Sequence, residues 1–180
     1  MRIYIANSLV IATLFLSVTG LSAHAEEAER FNALGFTLSG STSLDNDSNS
    51  GAISIDYARI LRGTRWYGSG FGGSVEYERE RERDDTTKQS KENETIYLAA
   101  GVFYDLSIVT QVTLSLSKGV REKLGDAQSW KTGGNTLVNF SIGRNIETPI
   151  GSHTVSLKSD YDINEKELAI GIGISMAVDF

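Results

Sequence analysis

Few residues of this chain are arranged to do chemistry. His153, in the run His153-Thr154-Val155-Ser156, is the one histidine beyond residue 25, and the chain has no cysteine. A histidine beside a serine could serve as general base to a nucleophilic hydroxyl. This one lies in or beside the turn after Pro149, which makes it an exposed turn histidine, and no catalytic residue is assigned. One histidine without cysteine also cannot build a zinc site of the usual composition, so neither metal nor cofactor is expected. The run from Gly68 to Gly73 has the glycines of a phosphate cradle but lacks the lysine and the strand-to-helix transition. Asp45-Asn46-Asp47 lacks the spacing and the closing glutamate of a calcium loop.

The most distinctive local pattern is Glu78-Arg79-Glu80-Arg81-Glu82-Arg83. At the period of a strand the glutamates fall on one side and the arginines on the other. Guanidinium forks match phosphate oxygens in shape and charge, so Arg79, Arg81 and Arg83, joined by Lys118 and Arg121, form a candidate phosphate-binding set. Pairing with opposite charges on a neighbouring strand is the competing arrangement.

The elements that must carry these residues follow from composition and period. A chain of 180 residues without a Pro- or Ser-rich linker is one domain. The 17 Lys plus Arg against 23 Asp plus Glu argue against a nucleic-acid partner. Arg2, the uncharged run from Ile3 to Leu21 and Ala23-His24-Ala25 have the order of a secretory signal, which predicts a cleavable segment 1–25 and a mature domain 26–180. Loss of Arg2 makes the mature chain one unit more acidic than the −6 of the whole.

Beyond Glu26 apolar residues recur at period two, the signature of strands. The clearest strand is the last, with Leu168, Ile170, Ile172, Ile174, Met176, Val178 and Phe180 on one face. Seven earlier segments repeat the pattern, centred on Phe36, Ile55, Val75, Leu98, Leu114, Phe140 and Leu157. Connections alternate between short turns, as at 62–65 and 105–107, and long polar stretches, at 78–94 and 118–135. Even strand number and alternating connections predict an eight-stranded antiparallel up-and-down barrel.

The second face of each strand decides what the apolar face meets. Its middle is built of Gly68, Gly70, Gly72, Ala99, Gly101, Ser115, Ser141, Gly143, Gly171 and Gly173, small residues suited to a crowded barrel interior. The apolar face therefore points to lipid, and Tyr67, Tyr104 and Phe180 at one end with Tyr77 and Tyr161 at the other supply two aromatic girdles. Asp56, Glu76, Lys158 and Asp160 point inward with Gln111 and Asn139, and are expected to form a mutually neutralising network.

With these features the chain resembles the small outer-membrane barrel superfamily that includes the OmpA transmembrane domain and OmpX-like proteins. The most specific element is the final strand, where Phe180 and the apolar residues at every second position before it look like the family's signal for the barrel-assembly machinery. The resemblance implies periplasmic chaperones, insertion by that machinery as a monomer into the outer membrane of a Gram-negative bacterium, and both termini on the periplasmic side. It also implies a non-enzymatic surface barrel with an envelope-structural, adhesion or host-contact role through its loops. The arginine set would then meet lipopolysaccharide phosphates. A narrow ion or solute channel is the alternative, and a lipid A-modifying enzyme a further one; for the latter, the spacing of His153 and Ser156 does not match that of lipid A deacylases.

Overall fold

The computed structural model describes residues 31–45, 48–61, 69–83, 90–107, 109–125, 127, 129–148 and 151–179. The expectations made for segment 1–25, the turn at 62–65, Tyr67, Gly68, Pro149 and Phe180 fall outside these residues.

Alternation at period two becomes nine antiparallel strands among the described residues. They are β1 (Phe31–Ser43), β2 (Ser48–Leu61), β3 (Ser69–Arg83), β4 (Ser90–Ser107), β5 (Thr110–Leu124), the two-residue β6 (Lys131–Thr132), β7 (Thr136–Thr148), β8 (Gly151–Asp162) and β9 (Leu168–Asp179). Eight form a closed ring, in which β1 pairs with β9 and β4 with β5, while β6 is a short ribbon on the outer part of β5.

Closure has a measurable stagger. From Ala33 the register passes through Ala58, Gly72, Gly101, Ser115, Asn139, Asp160 and Ala169, and returns to β1 at Ser43. The shift from Ala33 to Ser43 is ten residues, which for eight strands tilts each by about 40° to the axis.

Burial is inverted relative to a water-soluble protein. Thr37, Ser54, Thr154 and Ser175 are at most 1% exposed, whereas Ile55, Leu157 and Ile174 are 61%, 63% and 58% exposed. Apolar residues ring the outside continuously, which demands an apolar solvent. On β9 the stripe runs from Ile170 to Val178, about 20 Å along the axis at the usual strand rise and tilt. That is comparable with the apolar band of an outer-membrane barrel. Tyr104 stands on the outer face toward one end, and Tyr77 and Tyr161 toward the other.

The stretches 78–94 and 118–135 do not run as loops over most of their length, a correction to the sequence reading. β3 and β4 stay in register from Glu78↔Thr95 to Arg83↔Ser90, and β5 continues to Leu124. Alternating opposite charges satisfy one another across the ladder, so polar sequence does not end pairing there. The 15 residues of β3 and 18 of β4 exceed the 9–11 or so that span a bilayer, and the two strands project beyond Tyr77. The contrast in connection length is correspondingly weaker: the interval 62–68 at the turn end is longer than 44–47 at the loop end.

The interior also differs at the turn end. Ala33, Ala58, Ile60, Phe103 and Ala177 form a buried apolar cluster there, although the sequence suggested only small and polar groups inside. Ile60 and Phe103 share parity with Asp56 and Gly101, not with the lipid-facing stripe. Above them small residues alternate with larger polar groups such as Asp56, Glu76, Asn139 and Lys158. A Cβ at Gly101 would lie 2.2 Å from the Leu114 carbonyl oxygen, so only glycine lets β4 and β5 approach as they do.

A lipid-facing belt makes a depth-dependent prediction. Leu157→Arg, at mid-strand, should destabilise the barrel by about 2–4 kcal/mol in reversible urea unfolding from lipid vesicles, and Ile163→Arg, beyond the belt, by about 0–1 kcal/mol. Equal effects at the two positions would contradict a bilayer around Leu157.

Candidate functional site

Three groupings of polar side chains stand out, one outside the barrel, one within it and one at its loop end. The outer one begins on β3, where the odd-numbered arginines leave the barrel and the even-numbered glutamates face in. Arg79 and Arg81 both donate to Glu92 on β4, Arg81 through Nε at 3.1 Å as well as through its terminal nitrogen. The Arg81 guanidinium, with Arg79, holds the Glu92 carboxyl below the ordinary carboxylate range. Arg83, at the end of β3, is exposed opposite Ser90.

Lys118 and Arg121 have opposite parity in the sequence, yet both lie on the outer side. A β-bulge reconciles them: Gly119 pairs with Tyr97 while Arg121 pairs with Ile96, leaving Val120 as the extra residue. Beyond the bulge the odd positions turn outward, so Lys123 meets Glu94 at 3.5 Å. Lys118 Nζ donates to the Gly134 carbonyl at 2.7 Å and to Thr136 Oγ1 at 3.2 Å, tying the 125–135 connection to the wall. Gly119 and Gly134 cross so closely there that a Cβ on Gly119 would lie 2.7 Å from the Gly134 Cα. Lys123 was missed in the sequence because the bulge on β5 sets its parity; Glu94 keeps the outward parity of Leu98 but lies in the stretch read as a loop.

Inside, Asp56, Glu76, Lys158 and Asp160 are all buried. Asp56 accepts from Thr37 at 2.6 Å and from Ser54 at 2.8 Å. Lys158 Nζ lies 3.1 Å from Asp160, whose other oxygen accepts from Asn139 at 2.7 Å, and Asn139 in turn accepts from Ser117 at 2.8 Å. One cation thus anchors a relay across β5, β7 and β8. The oxygens of Ser39, Ser74, Thr113, Ser141, Ser156 and Ser175 have no protein partner among the described residues, which suits an internally hydrated wall.

At the loop end a cavity of about 100 Å³ lies between β1, β3, β4 and the β8–β9 turn, with Glu78, Glu80, Asp160, Asp162 and Tyr97 in its wall. Asp162 accepts from the backbone N–H groups of Asn164 and Glu165 at 2.7 and 3.0 Å, fixing that turn. His153 is two residues into β8, opposite Ile146 and Met176 near the turn end, far along the strand from this cavity. No group of three or more His, Cys, Asp or Glu side chains suited to a metal occurs among the described residues.

Two measurements test these groupings. Because the folded Glu92 carboxyl is shifted down, its ion pairs contribute above the ordinary glutamate pKa of about 4.3 and fade as pH falls through the lower folded value. A carboxyl NMR titration should place Glu92 below that value, and Arg79→Gln with Arg81→Gln should return it to the ordinary range. In the lumen, Lys158→Met strands Asp160 and should cost about 3–5 kcal/mol in urea unfolding, and adding Asp160→Leu should restore part of it. A single variant as stable as the parent would mean that the pair is not the anchor.

No protein-family model matches the chain, and no curated protein matches its sequence. Solved structures do match its shape. The crystal structure of neisserial surface protein A (NspA) aligns with a TM-score of 0.55 over 86% of this chain and 100% of that one, at 13% identity. A structure from the de novo design of transmembrane β-barrels aligns with a TM-score of 0.50 over 82% and 95%, at 9% identity. Ail, the attachment invasion locus protein of Yersinia pestis, crystallised with the heparin analogue sucrose octasulfate, aligns with a TM-score of 0.49 over 86% and 100%, at 13% identity. At these identities the likeness concerns the fold alone, a closed eight-stranded antiparallel transmembrane β-barrel.

Proposed function

We propose that the chain is a non-enzymatic surface barrel of a Gram-negative outer membrane, inserted as a monomer by the barrel-assembly machinery after periplasmic chaperoning. Its contribution to envelope integrity or host contact is made by the projecting ends of β3, β4 and β5. The observation that carries this reading is the inverted burial, with apolar side chains around the circumference and hydroxyls inside. The name of NspA, a surface protein, agrees with it.

The outer arginines give the projecting ends a chemistry. Two guanidiniums share the single carboxylate of Glu92, so the pair keeps net positive charge just above Tyr77. Lipopolysaccharide phosphates at headgroup height would meet the guanidinium donors that Glu92 does not use. Arg83 and Arg121 widen the same outer patch, and Lys118, with two donors already engaged, contributes mainly charge.

A conducting role has less support. Ile60 and Phe103 lie inside the turn end, and the Lys158–Asp160 pair lies higher in the lumen, so an ion on the axis would meet an apolar constriction and then a fixed charge pair. A lipid-modifying role finds no grouped nucleophile and base among the described residues, where His153 is at the turn end and the carboxylate-lined cavity at the loop end.

The test is membrane fractionation with lipopolysaccharide co-purification. The parent should fractionate with the outer membrane and retain lipopolysaccharide, and Arg79→Gln, Arg81→Gln and Arg83→Gln together should reduce the retained amount severalfold while the barrel stays folded. Unchanged retention would remove the phosphate contact, and recovery in the soluble periplasmic fraction would overturn the placement in the membrane.

A further inference from the structure

Six acidic side chains line the loop-end cavity, alongside hydroxyl and apolar side chains from β1, β2, β7 and β9 and the amide of Asn135. Glu78 and Glu80 reach it from β3, Asp160 and Asp162 from β8, and Glu165 and Glu167 from the β8–β9 connection, while no Lys, Arg or His lines it among the described residues. Of the six carboxylates, Asp160 is offset by Lys158 beneath it, and burial pushes the Glu78 carboxyl, beside Glu76, up to about 7. Partial burial, and then the charges of Glu165, Glu80, Asp45 and Asp162, push the Glu167 carboxyl above its ordinary range, so the negative field is felt by the groups that make it.

Tyr97 is the second and independent observation. It is only 6% exposed, it lines the cavity, and its hydroxyl makes no hydrogen bond among the described residues. Glu78, Glu76, Glu80 and Asp162 are the charges that act on it. The bulge at Val120 fixes it there, because Tyr97 pairs with Gly119 and keeps inward parity while Ile96 beside it faces out. A buried phenol amid carboxylates offers a cation both a ring face and an oxygen acceptor.

Metal coordination does not suit the arrangement. Calcium and magnesium need several oxygens converging at about 2.0–2.6 Å, and no carboxylate grouping of that kind occurs among the described residues. The negative charge is spread around a rim. A ligand whose own positive charges are spread along a chain fits it better, and a cavity of about 100 Å³ has the volume of roughly three waters, room for an ammonium head and a few methylenes.

We infer that the acidic vestibule, floored by Tyr97, binds the primary ammonium end of a linear polyamine, with the remaining charges of the ligand along the Glu165 and Glu167 rim. The site is independent of the lipopolysaccharide contact, which uses the opposite face of β3.

The experiment is isothermal titration of the folded barrel in zwitterionic micelles, which contain no lipopolysaccharide, with spermidine as probe and magnesium as comparator at matched ionic strength. Spermidine should bind saturably with one site per barrel. Glu165→Gln with Glu167→Gln, on an exposed turn, should weaken it about tenfold. Tyr97→Leu should weaken it about fivefold, and Tyr97→Phe less, because the ring face remains. If Tyr97→Leu does not fold, judged by loss of the heat-dependent gel shift, the Tyr97→Phe and turn variants decide. Absence of saturable heat, displacement of spermidine by magnesium at equal charge, or variants indistinguishable from the parent would each overturn the site.

Discussion

Hydrocarbon offers no hydrogen bonds, and this constraint shapes everything else in the molecule. Every backbone N–H and C=O at membrane depth must find a partner within the protein, so a sheet can cross only if its two edges meet. Here they meet through β1 with β9, and the ten-residue stagger fixes how wide the ring is and how steeply its strands lean. With eight strands the interior is too narrow for two facing rows of large side chains. Hence Gly101 admits no Cβ, and Thr37, Ser54, Thr154 and Ser175 pack where a soluble protein would place leucine.

The narrow interior is layered. Apolar Ile60 and Phe103 occupy the turn end, hydroxyls the middle, the Lys158–Asp160–Asn139 relay the level above, and carboxylates the loop end. Polarity thus rises along the axis from the turn end to the loop end. A buried lysine there is sustainable only with its counter-charge in contact. Strand period supplies that contact: Lys158 and Asp160 are two residues apart on one face of β8, and Asn139, which donates to the same carboxylate, stands opposite Asp160 on β7.

The fold was legible in the sequence because period two survives wherever the bilayer imposes opposite solvents on the two faces. β9 shows this in full, with isoleucines and methionine facing out and Gly171, Gly173, Ser175 and Ala177 facing in. Legibility failed where that contrast ends. Past Tyr77 both faces of β3 are wet, hydropathy no longer alternates, and the charged run resembles a loop although its ladder persists to Arg83. Ile60 and Phe103 were missed for the opposite reason, since apolar type drew attention away from their inward parity. The bulge at Val120 is invisible to pattern alone, and the outward placement of Arg121 and Lys123 and the meeting of Tyr97 with Gly119 depend on it. Lys158 and its counter-charge Asp160 are two apart on β8, so their shared face was legible, whereas the meeting of Asp160 with Asn139 depended on the register between β7 and β8.

Strand period also sorts charge in a way that composition conceals. Glu78 to Arg83 is neutral when summed, yet across β3 its glutamates and arginines are separated by the thickness of the barrel wall. Two like charges about 7 Å apart on one face repel only weakly in water, by about 0.6 kcal/mol, and opposite charges on the adjoining strand offset that. Glu92 does so for the arginines outside. Inside, the added carboxylates of Asp160, Asp162, Glu165 and Glu167 compound the charge of Glu78 and Glu80, with Lys158 as the cation below. The wall of one projecting strand therefore divides a cationic outer ridge from an anionic vestibule on its other face. Moving β3 by a single residue would exchange the two faces. The same ladder that completes the barrel thus holds the separation of charge in place.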